Sequence, residues 1–138
     1  MRSPIPSYLD DVLASVASDK TGELANYIPE LAGVNPDRLG ASIAMVDGEL
    51  YGDGDVNEVF TIQSISKPFV YALALADRGF DKVLAKVGVE PSGEPFNEIS
   101  LEDESGRPLN PMINAGAITT HSLVGAENIS PEKRMERV

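Results

Sequence analysis

The chain has 138 residues, of which 22 are acidic and 11 are basic, so its formal charge at pH 7 is −11. This charge argues against binding to nucleic acid and against docking on an anionic membrane surface. Because the chain contains no Cys and a single His, it has no disulfide, no thiolate zinc site, no Cys nucleophile and no multi-His metal centre. No signal peptide and no apolar stretch of about 18 residues is found, so we expect a cytoplasmic protein.

The first part of the chain predicts one helix and an irregular connection. Apolar residues recur at helical spacing over residues 6–19, which predicts an amphipathic helix entered through Pro6. Pro29 and Gly33 interrupt residues 22–34, which predicts a turn or a short helix.

Three short strands are predicted next. Residues 41–46 form a compact apolar run that suits a buried strand. The pair Asp47-Gly48 follows and favours a type I′ hairpin turn, with residues 49–51 as the returning strand. Residues 59–62 predict a third strand after an acidic turn.

The pattern then changes to helical spacing. Residues 69–76 share one wide apolar helical face that ends at Gly79, and residues 81–87 predict a second, short helix. Residues 89–111 contain four prolines and two glycines, which predicts a long irregular loop of the kind that is usually functional or mobile. Small and apolar residues dominate residues 113–124, which predicts a buried helix.

The C-terminal residues predict a helix that the chain ends before completing. Ser130 and Pro131 are typical of an N-cap and a first helical position, only eight residues before the C-terminus. Three strands also make an incomplete sheet with an edge that needs covering. We therefore expect the chain to be the front part of a longer domain.

Two Ser-x-x-Lys patterns occur, and such a pair is a candidate nucleophile and base because the two side chains meet on one helix face. Ser130 and Lys133 stand at a helix start, so we assign Ser130 a capping role. Ser64 and Lys67 precede an apolar helix, and Pro68 confines them to its first turn. A helix N-terminus favours an anionic serine oxygen and disfavours a protonated lysine, as a lysine base requires. From the residues alone, a catalytic pair and an N-cap Ser followed by a solvated Lys both stay open.

The segment from Asn110 to Ala117 places two amides beside small residues at a loop-to-helix junction. Asn114 could hold a carboxylate or a carboxamide, and Gly116 allows another backbone to approach closely. An Asn cap with tight helix packing explains the same residues equally well. His121 lies on the predicted apolar helix, and we assign it a structural role.

Four segments together resemble the signatures of the serine-dependent glutaminases, in the order and approximate spacing of that family. They are Asn-Tyr-Ile-Pro-Glu-Leu-Ala at 26–32, Phe-Thr-Ile-Gln-Ser-Ile-Ser-Lys at 60–67, Glu-Pro-Ser-Gly-Glu-Pro-Phe-Asn at 90–97 and Asn-Pro-Met-Ile-Asn-Ala-Gly-Ala-Ile at 110–118. The resemblance spans about residues 20–124. One departure is Glu98, where the family usually has Ser.

The resemblance implies an α/β fold of the serine β-lactamase and penicillin-binding-protein type, with a sheet and a helical subdomain. It also implies hydrolysis of L-glutamine to L-glutamate and ammonia through a serine acyl-enzyme, without a metal or an organic cofactor, by a homodimer or homotetramer. By position, Ser64 corresponds to the nucleophile and Lys67 to its activating base. Tyr27, Gln63 and Asn114 match family positions that line the glutamine pocket together with the nucleophile.

The family's remaining pocket residues would lie beyond Val138, so the resemblance implies that residues 1–138 are the N-terminal part of a single glutaminase catalytic domain. We therefore expect the chain alone to bind glutamine weakly and to turn it over negligibly. One alternative is a β-lactam-handling hydrolase that shares Ser-x-x-Lys, although the Ser-Asp-Asn loop of that class is absent from residues 1–138. The other is a non-catalytic fragment that associates with partners through its strand edges.

Overall fold

The computed structural model describes residues 3–95 and 97–138, which form two compact units that meet in the sequence between Thr61 and Ile62. Phe96, which belongs to the third family-like segment, lies outside the described residues. Helices occur in both units and a small sheet occurs in the first, which confirms the predicted α/β class. Across the described ranges, no helix is both long enough and apolar enough to cross a membrane.

In the first unit, helix α1 (Ile5–Val16) packs on an antiparallel hairpin of strands β1 (Gly40–Ala44) and β2 (Leu50–Gly54). Leu9 of α1 is buried, and both strands alternate between exposed and half-buried residues. This alternation is expected where a helix covers one face of a sheet. A short helix α2 (Pro29–Ala32) lies between α1 and β1, as the interrupted pattern predicts.

The hairpin turn differs from the predicted type I′ turn. The amide of Gly48 donates to the carbonyl of Met45 at 3.0 Å, and the amide of Met45 donates to the carbonyl of Glu49 at 2.9 Å. The loop between these paired residues therefore has three residues, 46–48. A type I′ turn needs a positive φ at Asp47, which Asp47 does not have. Gly48 instead takes the left-handed position, with φ +92°, that closes a three-residue hairpin loop.

The prediction of a third strand at residues 59–62 is wrong. These residues have no strand structure, and the side chains of Val59 and Phe60 are 92% and 80% exposed. Strand propensity depends on packing against cross-strand neighbours, and the sheet of the described residues consists of β1 and β2. A suitable composition therefore was not enough to form a strand here.

The second unit is helical. A 3₁₀ turn (Gln63–Ile65) leads into helix α3 (Ser66–Arg78), which packs against α4 (Phe80–Leu84) and α5 (Asn114–Ser122). The main cluster of its core consists of four buried side chains: Val70, Ala74, Val83 and Val124. Helix α3 ends before Gly79, which has φ +80°, as the sequence predicts. The other two predicted helices are present with shorter bounds.

The long connection between α4 and α5 is irregular, as predicted, and its own hydrogen bonds organise it. The amide of Gly88 donates to the carbonyl of Pro108 at 2.8 Å. Arg107 donates from Nε to Glu102 at 3.0 Å and from its guanidinium to the carbonyl of Leu84. These bonds tie the connection to α4 and lead the chain back to the start of α5.

Helix α6 (Pro131–Arg137) begins where the sequence predicts. Ser130 Oγ accepts a hydrogen bond from the amide of Lys133 at 3.3 Å, with Pro131 at the first helical position. The capping role of Ser130 is therefore confirmed.

Asp77, near the end of α3, anchors the C-terminal segment. Its carboxylate accepts hydrogen bonds from Arg137 Nε at 2.8 Å and from the amide of Gly125 at 2.6 Å. These two bonds, that of Arg137 first, lower the pKa of Asp77 to about 2.

The stability of the second unit should therefore depend on Asp77 in acid. Because the folded-state pKa lies below the ordinary value of 3.8, the stabilisation is complete above about pH 4 and is lost as the pH falls towards 2. We expect Asp77→Asn to be less stable than the wild type at pH 7 and to differ little from it near pH 2, as measured by urea unfolding at both pH values. Asp10→Asn, on the exposed surface of α1, should keep the pH dependence of the wild type.

Gly116, in the first turn of α5, lies against the carbonyl of Asn110. A Cβ at this position would approach that oxygen far closer than the 3.0 Å limit of real contacts, so the predicted close backbone approach is confirmed. We expect Gly116→Ala to lower the free energy of unfolding by about 1–3 kcal/mol, because the helix start must shift. Gly33→Ala is the matched control, since a Cβ there meets nothing within 4 Å, and it should be nearly neutral in the same urea titration.

Candidate active site

Helices α3 and α5 line an open groove of about 450 Å³ in the second unit, a volume in the range of small-molecule pockets. Its lining residues are Gln63, Ser64, Ser66, Lys67, Val70, Ala117, Ile118 and His121. They bring an amide, two hydroxyls, an amine and an imidazole next to apolar side chains. Among residues 3–95 and 97–138, no group of three or more His, Asp or Glu side chains is arranged to hold a metal ion.

The chain turns sharply at Gln63 before it enters the groove. Gln63 has φ +45° and is the one non-glycine residue with a positive φ in the described part of the chain. A side chain disfavours this conformation, so the surroundings must hold it. Ser66 contributes by donating from Oγ to the Gln63 carbonyl at 2.8 Å. The turn places Ser64 at the N-terminal end of α3, where the helix dipole favours negative charge.

Lys67 joins the two helices of the groove. Its half-buried side chain donates from Nζ to the carbonyl of Met112 and to Oδ1 of Asn114, both at 2.8 Å. Pro68 follows at the third position of α3, inside the first turn, where a missing amide hydrogen breaks no intrahelical bond. Ser64 and Lys67 therefore lie at the start of α3, as Pro68 predicts, and Lys67 is hydrogen-bonded to the first residue of α5.

His121 also lines the groove, although on sequence grounds it is assigned a structural role. It lies seven residues after Asn114, on the α5 face that carries Ala117 and Ile118. Spacings of three, four and seven residues place side chains on one helical face. This spacing from Asn114 was the signal in the sequence that could have placed His121 in the site.

The predicted site residues divide between the two units. Gln63, Ser64 and Lys67 line one groove, and Asn114 is bonded to Lys67. Tyr27 belongs to the first unit, in the turn before α2, where its side chain is 83% exposed. Its place in a substrate pocket stays a prediction.

Known proteins resemble this chain over most of its length. The family model described as Glutaminase matches residues 22–138. A glutaminase of Corynebacterium efficiens is 52% identical over 135 residues, which cover 98% of this chain and 32% of the relative. A glutaminase of Trichormus variabilis is 53% identical over 136 residues, which cover 99% of this chain and 40% of the relative. The chain therefore spans about a third of the length of these relatives.

A solved structure agrees with the sequence comparisons. The crystal structure of Mglu in its tris and glutamate form matches 99% of this chain and 30% of the Mglu chain, with a TM-score of 0.90 and 51% identity. The fold of this chain is therefore closely similar to that of the matched part of the Mglu chain. Because the family model covers residues 22–138, the chain belongs to the glutaminase family.

Proposed function

We propose that residues 1–138 are the N-terminal part of a single catalytic domain, and that the complete protein hydrolyses L-glutamine to L-glutamate and ammonia. The observation that carries this proposal is the groove in which Ser64 and Lys67 lie together, with Lys67 bonded to Asn114. Membership in the glutaminase family and the glutamate form of Mglu, which has a TM-score of 0.90, support the substrate, since glutamate is the product of this reaction.

In the proposed mechanism, Ser64 Oγ attacks the δ-carboxamide carbon of glutamine while Lys67 accepts the serine proton. The C–N bond breaks, Lys67 returns the proton to the leaving nitrogen, and ammonia departs from a glutamyl ester on Ser64. A water molecule then attacks the ester and gives its proton to Lys67. The ester bond breaks, the Ser64 hydroxyl regains the proton, and L-glutamate leaves. The reaction balances without a metal or an organic cofactor.

The hydrogen bonds of Lys67 suit this role. A neutral amine carries two N–H bonds and one lone pair, and two oxygen acceptors, on Met112 and Asn114, lie 2.8 Å from Nζ. A proton that arrives from Ser64 would supply the third N–H bond. The amine can therefore change its protonation state while both hydrogen bonds persist.

Asn114 also has a proposed part in substrate binding. Because its Oδ1 accepts from Lys67, its amide nitrogen can donate to an oxygen of glutamine. Tyr27 and Gln63 are proposed to line the same pocket, as the family resemblance implies. A serine β-lactamase-like fold of the complete domain is part of this proposal, while the homo-oligomeric state and the cytoplasmic location stay predictions.

An ammonia-release assay tests the proposal. The protein made from the complete reading frame should release ammonia from L-glutamine, and the 138-residue chain alone should release little. Hydrolysis of a chromogenic β-lactam without hydrolysis of glutamine would favour the β-lactam-handling alternative. A stable protein without either activity would favour the alternative of a non-catalytic fragment that associates with partners.

Ser64→Ala should reduce glutamine hydrolysis by about 10⁴-fold, because no acyl-enzyme can form. The measurement is kcat from ammonia release by the complete protein. Ser130→Ala is the matched control, since it removes a serine whose Oγ caps α6, and it should keep the wild-type kcat. Near-normal turnover by Ser64→Ala would reject Ser64 as the nucleophile.

Lys67→Arg should be almost as damaging as removal of the amine, because arginine keeps the positive charge but stays protonated and cannot accept the serine proton. Steady-state kinetics of the complete protein measure this loss. Lys133→Arg makes the same change on the exposed surface of α6 and should be silent. If Lys67→Arg retained the wild-type kcat, Lys67 would serve only as a charge.

A further inference from the structure

We propose that Asn110 is a positioning residue that aims the Met112 carbonyl at Lys67. The inference rests on the proposed function, in which Lys67 accepts and returns the serine proton. An amine does this efficiently only where its N–H bonds are held in one geometry, so the groups that hold its acceptors also matter. Met112 supplies one acceptor from its backbone. The orientation of that peptide group therefore decides whether the carbonyl reaches Lys67.

The side chain of Asn110 binds the turn that carries this carbonyl. Its Oδ1 accepts hydrogen bonds from the amides of Met112 at 3.0 Å and Ile113 at 3.2 Å. A side-chain oxygen that binds amides two and three residues later is typical of a turn stabilised by Asn.

The peptide group between Met112 and Ile113 is the link to Lys67. Its N–H, on Ile113, donates to Asn110 Oδ1, and its C=O, on Met112, accepts from Lys67 Nζ at 2.8 Å. In a trans peptide these two bonds point in opposite directions, and the described residues contain no cis peptide. Holding the N–H on Asn110 therefore directs the carbonyl towards Lys67, and each hydrogen bond polarises the next.

Two further contacts hold Asn110 itself. Its amide nitrogen donates to the carbonyl of Glu90 at 2.9 Å, which also fixes the orientation of the amide because a carbonyl can only accept. Its backbone carbonyl lies against Gly116 in the first turn of α5. Asn110 thus connects the irregular loop, the turn and the helix start that carries Asn114, the second acceptor of Lys67.

Three variants of the complete protein test this role, with kcat per folded molecule and KM for glutamine as the readouts. Asn110→Ala removes every side-chain bond, and we expect kcat to fall by about 10- to 100-fold while KM stays within about threefold. Asn110→Asp keeps an oxygen acceptor for both amides but replaces the donor to Glu90 with a charged oxygen, and we expect it to recover kcat to within about fivefold of the wild type. Asn35→Ala removes a similar turn bond, to the amide of Asp37 at 3.0 Å, and should keep the wild-type kcat.

Several results would overturn the inference. They are a wild-type kcat for Asn110→Ala, an Asn110→Asp variant no better than Asn110→Ala, or an equal loss for Asn35→Ala. A rise in KM as large as the fall in kcat/KM would make Asn110 a substrate-binding residue instead. If the wild-type protein released no ammonia, or if Lys67→Arg were fully active, the proposed function itself would be rejected. The results for Asn110 reject only the positioning role, so the two failures are distinguishable.

Discussion

The hydrogen bonds of Lys67 are the constraint on which the rest of the second unit depends. Nζ binds two oxygens that come 45 and 47 residues later in the chain, so α3 and the start of α5 must meet with a tolerance of a few tenths of an ångström. Helix packing sets the distance between the two helices, while the turn before α5 sets the direction of the acceptors. The loop between α4 and α5 is long and irregular, yet its hydrogen bonds lead the chain back to the start of α5, next to Lys67.

Helix α3 is held at both ends, and the two ends use opposite chemistry. At its N-terminal end Lys67 binds neutral oxygen acceptors. About 15 Å further along the axis, Asp77 lies where the helix dipole disfavours a carboxylate. The amide of Gly125 and the guanidinium of Arg137 compensate for this, so the carboxylate remains charged and joins α6 to α3. Between these ends the buried face of α3 supplies the apolar core.

The sequence by itself determined features that depend on residues a few positions apart. Helical periodicity located α1 and α3, the small and apolar composition of residues 113–124 located α5, and Pro68 restricted the Ser-x-x-Lys pair to the start of α3. Local cap chemistry assigned Ser130 correctly. The family resemblance also came from short segments, because four linked motifs are far more specific than one, and the match over residues 22–138 confirmed it.

Only the tertiary structure decided which distant groups meet. The acceptors of Lys67 and the place of His121 in the groove depend on how α3 and α5 pack. The run at residues 59–62 has strand composition but forms no strand. The physical reason is common to all three cases. Propensity acts over a few residues, whereas a hydrogen bond or a strand pair across the fold depends on the packing of elements far apart in the sequence.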